Sequence, residues 1–347
     1  MKSFKEGRRA ALALLFALAL VAFGLAGCRK QEGGGGGGAA GGGGGGGSAP
    51  AGGGAGGKKM RVGFSQTETD GPWRIAETKS MQDEAAKRGY ELVFTNARGD
   101  TATQVSNLED LIAQRVDAIF LAPREAKGFE GPLQAAKDAG IPVILIDREL
   151  EGLKAGEDYV TFIGSNFIEE GKRAGEWLAK QTQGRAGIVE LLGTAGSSVA
   201  NDRHQGFADA IKAHPDMRII AAQDGNFTRA QGQKVMESLI QAHGRDITAV
   251  YTHNDEMALG AVQALRSANR SPGKDVLVVS VDGQKSALEA IQRGEMNATV
   301  ECNPRFGPVA FDTLERFKRG EKIPPKIINE DRFFDATNVA QFVAEAF

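Results

Sequence analysis

The chain has two cysteines, two tryptophans, three tyrosines and four histidines in 347 residues. With Cys28 and Cys302 as its only thiols it has no disulfide framework. No CxxC, HExxH or other clustered Cys/His spacing offers a metal site either. There is no excess of charge: 42 Lys and Arg stand against 44 Asp and Glu. Six of the basic and two of the acidic side chains precede residue 58, so the remainder holds 36 and 42. A mildly acidic, unpatterned surface argues against nucleic acid as a partner. Long apolar runs are scarce too. The one near the start covers 10–20, too short for a comfortable spanning helix.

What is present begins with a targeting signal. Lys2, Lys5, Arg8 and Arg9 precede the apolar run, which closes on Leu25-Ala26-Gly27-Cys28. A charged start, a short apolar stretch and small residues before a cut describe a secretory signal over 1–28. Its last four residues resemble the bacterial lipobox, which implies that Cys28 becomes the lipidated first residue of an exported, membrane-anchored chain. An uncleaved anchor helix is the other reading. With Cys28 so used, Cys302 is left as a small buried residue rather than a reactive thiol. Residues 29–57 are dominated by glycine, a composition that buries no apolar surface and behaves as a flexible leash. Glycine-rich matches to dinucleotide and phosphate loops inside it follow no strand and are discarded.

From residue 58 onward, strand and helix signals alternate. Strands are expected over 61–65, 91–94, 116–122 and 141–146, with helices over 75–88, 101–114 and 129–139 between them. The pattern restarts with strands over 159–163, 187–192, 218–222, 247–251 and 276–281. Helices over 166–180, 197–213, 228–242, 255–268 and 286–293 separate or follow these. Such βα repetition implies parallel sheets covered on both faces. Two successive runs imply an α/β fold of two doubly wound lobes, with a ligand preferred in the cleft between them.

The strand over 141–146 is a continuous aliphatic run that ends abruptly in Asp147-Arg148. Ligands of open α/β sheets sit just beyond the strands' carboxyl ends, so this pair stands either at a ligand or as an ordinary surface ion pair. Other strands end alike, in His253-Asn254-Asp255 and in Asp282-Gly283. A sugar hydroxyl both donates and accepts, and Asp, Asn and Arg pair with it well. Trp73 and Phe227, each in a polar loop before a helix, suit the apolar C–H face of a sugar ring. The plainer readings are that Asn254 or Asp255 caps a helix, that Asp282-Gly283 is a turn, and that the aromatics are core.

Together these residues resemble the periplasmic sugar-binding proteins of the ribose and galactose type, the substrate receptors of ABC importers. The likeness runs from about residue 58 to 347. It rests on Gly63-Phe64-Ser65 with Trp73-Arg74-Ile75-Ala76-Glu77, on Val116-Asp117-Ala118-Ile119-Phe120-Leu121-Ala122-Pro123, and on Asp147-Arg148. It rests equally on Asp202-Arg203-His204-Gln205-Gly206-Phe207, His253-Asn254-Asp255-Glu256-Met257, Val281-Asp282-Gly283 and Ala298-Thr299-Val300-Glu301. Trp73-Arg74, Phe227-Thr228-Arg229 and Glu301 are most similar to the galactofuranose-binding type.

The resemblance implies the type I periplasmic binding protein fold, its lobes joined by three hinge strands near Gly164, residues 301–303 and residues 329–333. The first lobe would comprise 58–163 with 302–329, including a helix over 304–319, and the second 164–301 with 330–347. It also implies that Trp73, Arg74, Asp147 and Arg148 hold the sugar from the first lobe, and Arg203, Phe227, Asn254 and Asp282 from the second. Glu301 would tilt the choice toward galactofuranose. The loop 67–72 departs most from the family pattern, so Glu68 and Asp70 receive no role. The implied protein is a monomer without cofactor or metal, handing a monosaccharide to a membrane permease by hinged closure, in the periplasm or at the cell surface. A sensor reporting sugar to a chemoreceptor or kinase has the same signature. A glycosidase using Asp147 and Asp282 is disfavoured, because an adjacent arginine keeps Asp147 ionised and spoils a general acid.

Overall fold

The computed structural model describes residues 59–347. The signal, Cys28 and the glycine-rich leash lie outside the described residues. Two six-stranded sheets carry the fold. The first contains β1 (Arg61–Gln66), β2 (Glu91–Asn96), β3 (Ala118–Leu121), β4 (Val143–Ile146), β5 (Phe162–Gly164) and β11 (Lys326–Ile328), in the spatial order β11-β5-β4-β3-β1-β2. The second contains β6 (Arg185–Leu192), β7 (Asp216–Asp224), β8 (Ala249–Thr252), β9 (Leu277–Asp282), β10 (Ala298–Glu301) and β12 (Phe333–Asp335), in the order β12-β10-β9-β8-β6-β7. All pairings are parallel except β10 with β12.

The central strands are buried on both faces because helices cover them. In the first lobe these are α1 (Pro72–Arg88), α2 (Thr101–Ala113), α3 (Glu130–Asp138) and α9 (Gly307–Lys318). In the second they are α4 (Phe167–Thr182), α5 (Ser198–Ile211), α6 (Arg229–His243), α7 (Asp255–Ser267) and α8 (Lys285–Gln292). Phe64 and Phe120 fill one side of the first sheet, and Phe207 and Tyr251 stack in the second at 4.0 Å between ring centres. Helices α4 and α5 approach backbone to backbone. A methyl on Gly171 would collide with the Arg203 carbonyl, and one on Gly206 with that of Ile168. That proximity sets Arg203 of α5 beside Glu170 of α4.

The chain passes between sheets three times: after β5, after β10, and between β11 and β12. The late helix of the first lobe is α9. Neither edge strand β11 nor β12 has a sequence signal. Each is three residues long, and pairing with β5 or β10 makes it a strand.

Candidate ligand cleft between the two sheets

Both sheets point their carboxyl-terminal strand ends at one cleft of about 640 Å³. The lobes meet at its side, where the Ala126 N–H donates to Gly196 O at 2.9 Å and the Glu149 N–H to Ser198 Oγ at 3.0 Å. Trp73, Arg74, Asp147, Arg148, Arg203, Phe227, Asn254 and Asp282 all line the cleft.

From the first lobe, Asp147 follows β4 directly and has φ of +65°. Its carboxylate lies 2.7 Å from Arg74 Nη2 and 3.4 Å from Arg148 Nε. The cation that holds Asp147 is therefore Arg74, from the first turn of α1, more than its chain neighbour. Arg74 also donates Nη1 to Glu77 Oε2 at 2.7 Å, and its Nε lies 3.6 Å from Glu68. Burial opposes the charge on Arg74, but Asp147, Glu77 and Glu68 outweigh it and push its pKa up. Arg148 is in the opposite position: burial and the like charge of Arg74 pull it down to about 10. Its Nη1 donates to Arg124 O at 2.6 Å, while its buried Nε makes no hydrogen bond among the described residues. An unmatched buried donor on a cleft wall is a place for a ligand acceptor.

From the second lobe, Arg203 donates Nε to Glu170 at 2.7 Å and Nη1 to His253 O at 2.5 Å, with Nη2 4.0 Å from Asp282. Burial pushes the Asp282 carboxyl well up despite Arg203.

The two aromatic rings are held differently. Trp73 donates Nε1 to Cys302 O at 2.8 Å, and the Arg74 guanidinium lies 4.7 Å above its ring. Phe227 has φ of +58°, its ring covers Gly193, and Arg148 faces it from the other lobe at 5.6 Å. A methyl on Gly193 would collide with that ring.

Strain gathers here. Arg98, Asp147, Asn226, Phe227 and Asp282 all line the cleft, and they are five of the eight described non-glycine residues with positive φ. Such conformations persist where the surroundings over-determine them, often at binding sites.

Two expected ligand residues have protein partners instead. Asn254 caps α7, accepting from the Met257 N–H at 3.0 Å, and its amide donates to Phe227 O at 3.0 Å. It still borders the cleft, and it positions Phe227. Glu301 is not among the lining residues. Although it pairs in register with Asp282, its carboxylate takes Arg332 Nη2 and Nε at 2.7 and 2.8 Å.

Residues without an assigned role come into view. Glu68 lines the cleft, and Arg74, Arg148 and Arg124 overcome its burial to hold its carboxyl low. Asp70 lines the cleft beside it. Glu77 and Glu170 anchor the two inner arginines from below. Glu77 is legible as the i+3 partner of Arg74 on one helix. Glu170 lies 33 positions before Arg203, and no local spacing links them. No group of His, Cys, Asp and Glu among the described residues could hold a metal ion.

A two-lobed α/β fold with a charged, aromatic-walled cleft at its strand ends defines a class of ligand-binding receptor. Residues 62–322 match the model of the periplasmic binding protein domain, and the chain belongs to that family. It is 45% identical over 271 residues to the galactofuranose-binding protein YtfQ of Escherichia coli (strain K12), covering 77% of this chain and 85% of that one. Among solved structures it is similar to the binding component of the arabinose ABC transporter of Shewanella sp. ANA-3, bound to α- and β-L-arabinofuranose. That match has 40% identity and a TM-score of 0.80, over 82% of this chain and 95% of the other. A Mycobacterium smegmatis protein in complex with β-D-fucofuranose matches at 38% identity and a TM-score of 0.79, over 82% and 94%.

Proposed function

We propose that this chain is a sugar-binding protein that delivers a monosaccharide in furanose form, galactofuranose first among them, to an ABC importer. The observation that carries the reading is the facing of two buried charged sets across one cleft: Arg74, Asp147 and Arg148 against Arg203 and Asp282. Arg148 and Asp282 keep capacity for ring hydroxyls, while Trp73 and Phe227 offer flat apolar surfaces. The family membership and the furanose ligands named for the relatives support the same reading. The lobes 58–163 plus 302–329 and 164–301 plus 330–347 bend at the three crossings, so that contacts made only in the closed state drive closure. The chain acts as a periplasmic or cell-surface monomer, anchored by lipid on Cys28, and performs no catalysis. Calorimetric titration with galactofuranose, galactopyranose, arabinofuranose and ribose tests it. Submicromolar affinity for a furanose with weaker pyranose binding is expected, and millimolar or weaker binding of all four would refute it.

A further inference from the structure

The three crossings between the sheets meet at one carboxyl. Asp331 lies on the third crossing, half-buried. Its Oδ1 accepts from the Asn303 N–H of the second crossing at 3.2 Å, and the Ser165 hydroxyl of the first crossing faces the same carboxyl. Ser165 Oγ also lies 3.6 Å from Cys302 Sγ, so the first two crossings touch directly as well.

The charges around Asp331 are mostly of its own sign. Glu170 faces it from α4 and Glu301 from β10, with the Cys302 thiol nearby on the second crossing. Arg173 of α4 donates to its backbone carbonyl at 2.7 Å, and the neighbouring Arg332 is turned to Glu301 and Glu345. No cation pairs with the carboxylate among the described residues. Burial, Glu170 and Glu301 together push its pKa up to about 7.

We propose that Asp331 is a positioning residue for ligand binding: its carboxyl ties the crossings together while the lobes are closed and releases them when the lobes part. Opening bends all three crossings, parts them and returns the carboxyl to water. Glu170 links this knot to the cleft electrostatically, because its charge acts on Asp331 while its carboxylate holds Arg203. The role in sugar affinity rests on the function proposed above; the hinge role does not.

The sign follows from linkage. The closed-state carboxyl titrates higher than a solvated one, so its contribution to closure is complete below about pH 4 and is lost as pH rises through about 7.

Small-angle X-ray scattering of the sugar-free full chain across this window is the test. The wild-type chain should open as pH rises from about 4 to about 7 and level off above that. Asp331→Asn should remove the response, and Ser165→Ala should move the midpoint to higher pH by deleting a donor to the charged form. A wild-type chain whose shape ignores pH, a response that survives Asp331→Asn, or an unmoved midpoint in Ser165→Ala overturns the proposal. If Asp331→Asn does not fold, the Ser165→Ala midpoint decides. With sugar present, the wild-type Kd should rise with pH by at most about tenfold per unit, the limit for one linked proton. A chain that opens with pH and binds no sugar refutes the transport reading alone, whereas sugar binding without any pH response refutes the hinge proposal alone.

Discussion

Arg74 Nη2 lies 2.7 Å from the Asp147 carboxylate, while Arg148, the next residue along the chain from Asp147, stands 3.4 Å away. The strong partner of Asp147 thus comes from a helix 73 positions earlier, and the chain neighbour is left with donor capacity for a ligand.

Arg74 holds two buried carboxylates with different nitrogens. Arg74→Ala leaves Glu77 without its cation and Asp147 with only the more distant Arg148, and is expected to cost about 3–5 kcal/mol of stability as well as sugar binding. Arg74→Lys should rescue little, since one ammonium does not reproduce the planar fork. Urea unfolding followed by circular dichroism measures the loss; a change under about 1 kcal/mol in the alanine variant would contradict this account.

Glu77 is buried between Gln66, Arg74 and Asp147, and burial pushes it up to about 7. Its folded-state value lies above its unfolded one, so its stabilising effect is full below about pH 4 and fades as pH rises through about 7. Between about pH 4 and 7, Glu77→Gln should therefore lose less stability per pH unit than wild type, by up to about 1.4 kcal/mol, and the two slopes should converge above neutrality. Parallel Tm-against-pH curves for the two proteins would show that Glu77 keeps the same protonation on unfolding.

The Phe227 ring needs the bare backbone of Gly193 beneath it. Gly193→Ala should push the ring into the cleft and weaken sugar binding by about tenfold or more, equivalent to about 1.4 kcal/mol. Adding Phe227→Ala to Gly193→Ala should cause no further loss, since the collision has gone with the ring. Titration calorimetry on the single and double variants distinguishes this from a direct effect of the alanine.

The family resemblance implies that Glu301 selects the sugar, while in the structure its carboxylate is occupied by Arg332 on the third crossing. Glu301→Gln should leave the order of sugar affinities unchanged while costing about 1–2 kcal/mol of stability, the scale of a charge-assisted hydrogen bond. A reordered preference would return Glu301 to the cleft.

Most of the fold was legible locally. The run over 141–146 is aliphatic because β4 is buried on both faces, and its abrupt end in Asp147 marks where the sheet meets the cleft. The same logic located Asp282 and Asn254. It could not separate a residue that faces the cleft from one that caps a helix, and Asn254 does both. Nor does strand register separate Glu301 from Asp282: they share a sheet end, yet one side chain lines the cleft and the other pairs with Arg332 on the third crossing.

Two runs of βα units, the strand ends at which polar side chains collect, and the aromatic residues beside them are legible in the local sequence, because periodicity and punctuation act over a few residues. The pairings, by contrast, come from packing. Arg74 with Asp147, Arg203 with Glu170, Glu301 with Arg332, and Asp331 among the three crossings join residues far apart in the chain. In each case burial makes the partner matter, and burial is a property of the packed lobes rather than of any stretch of chain.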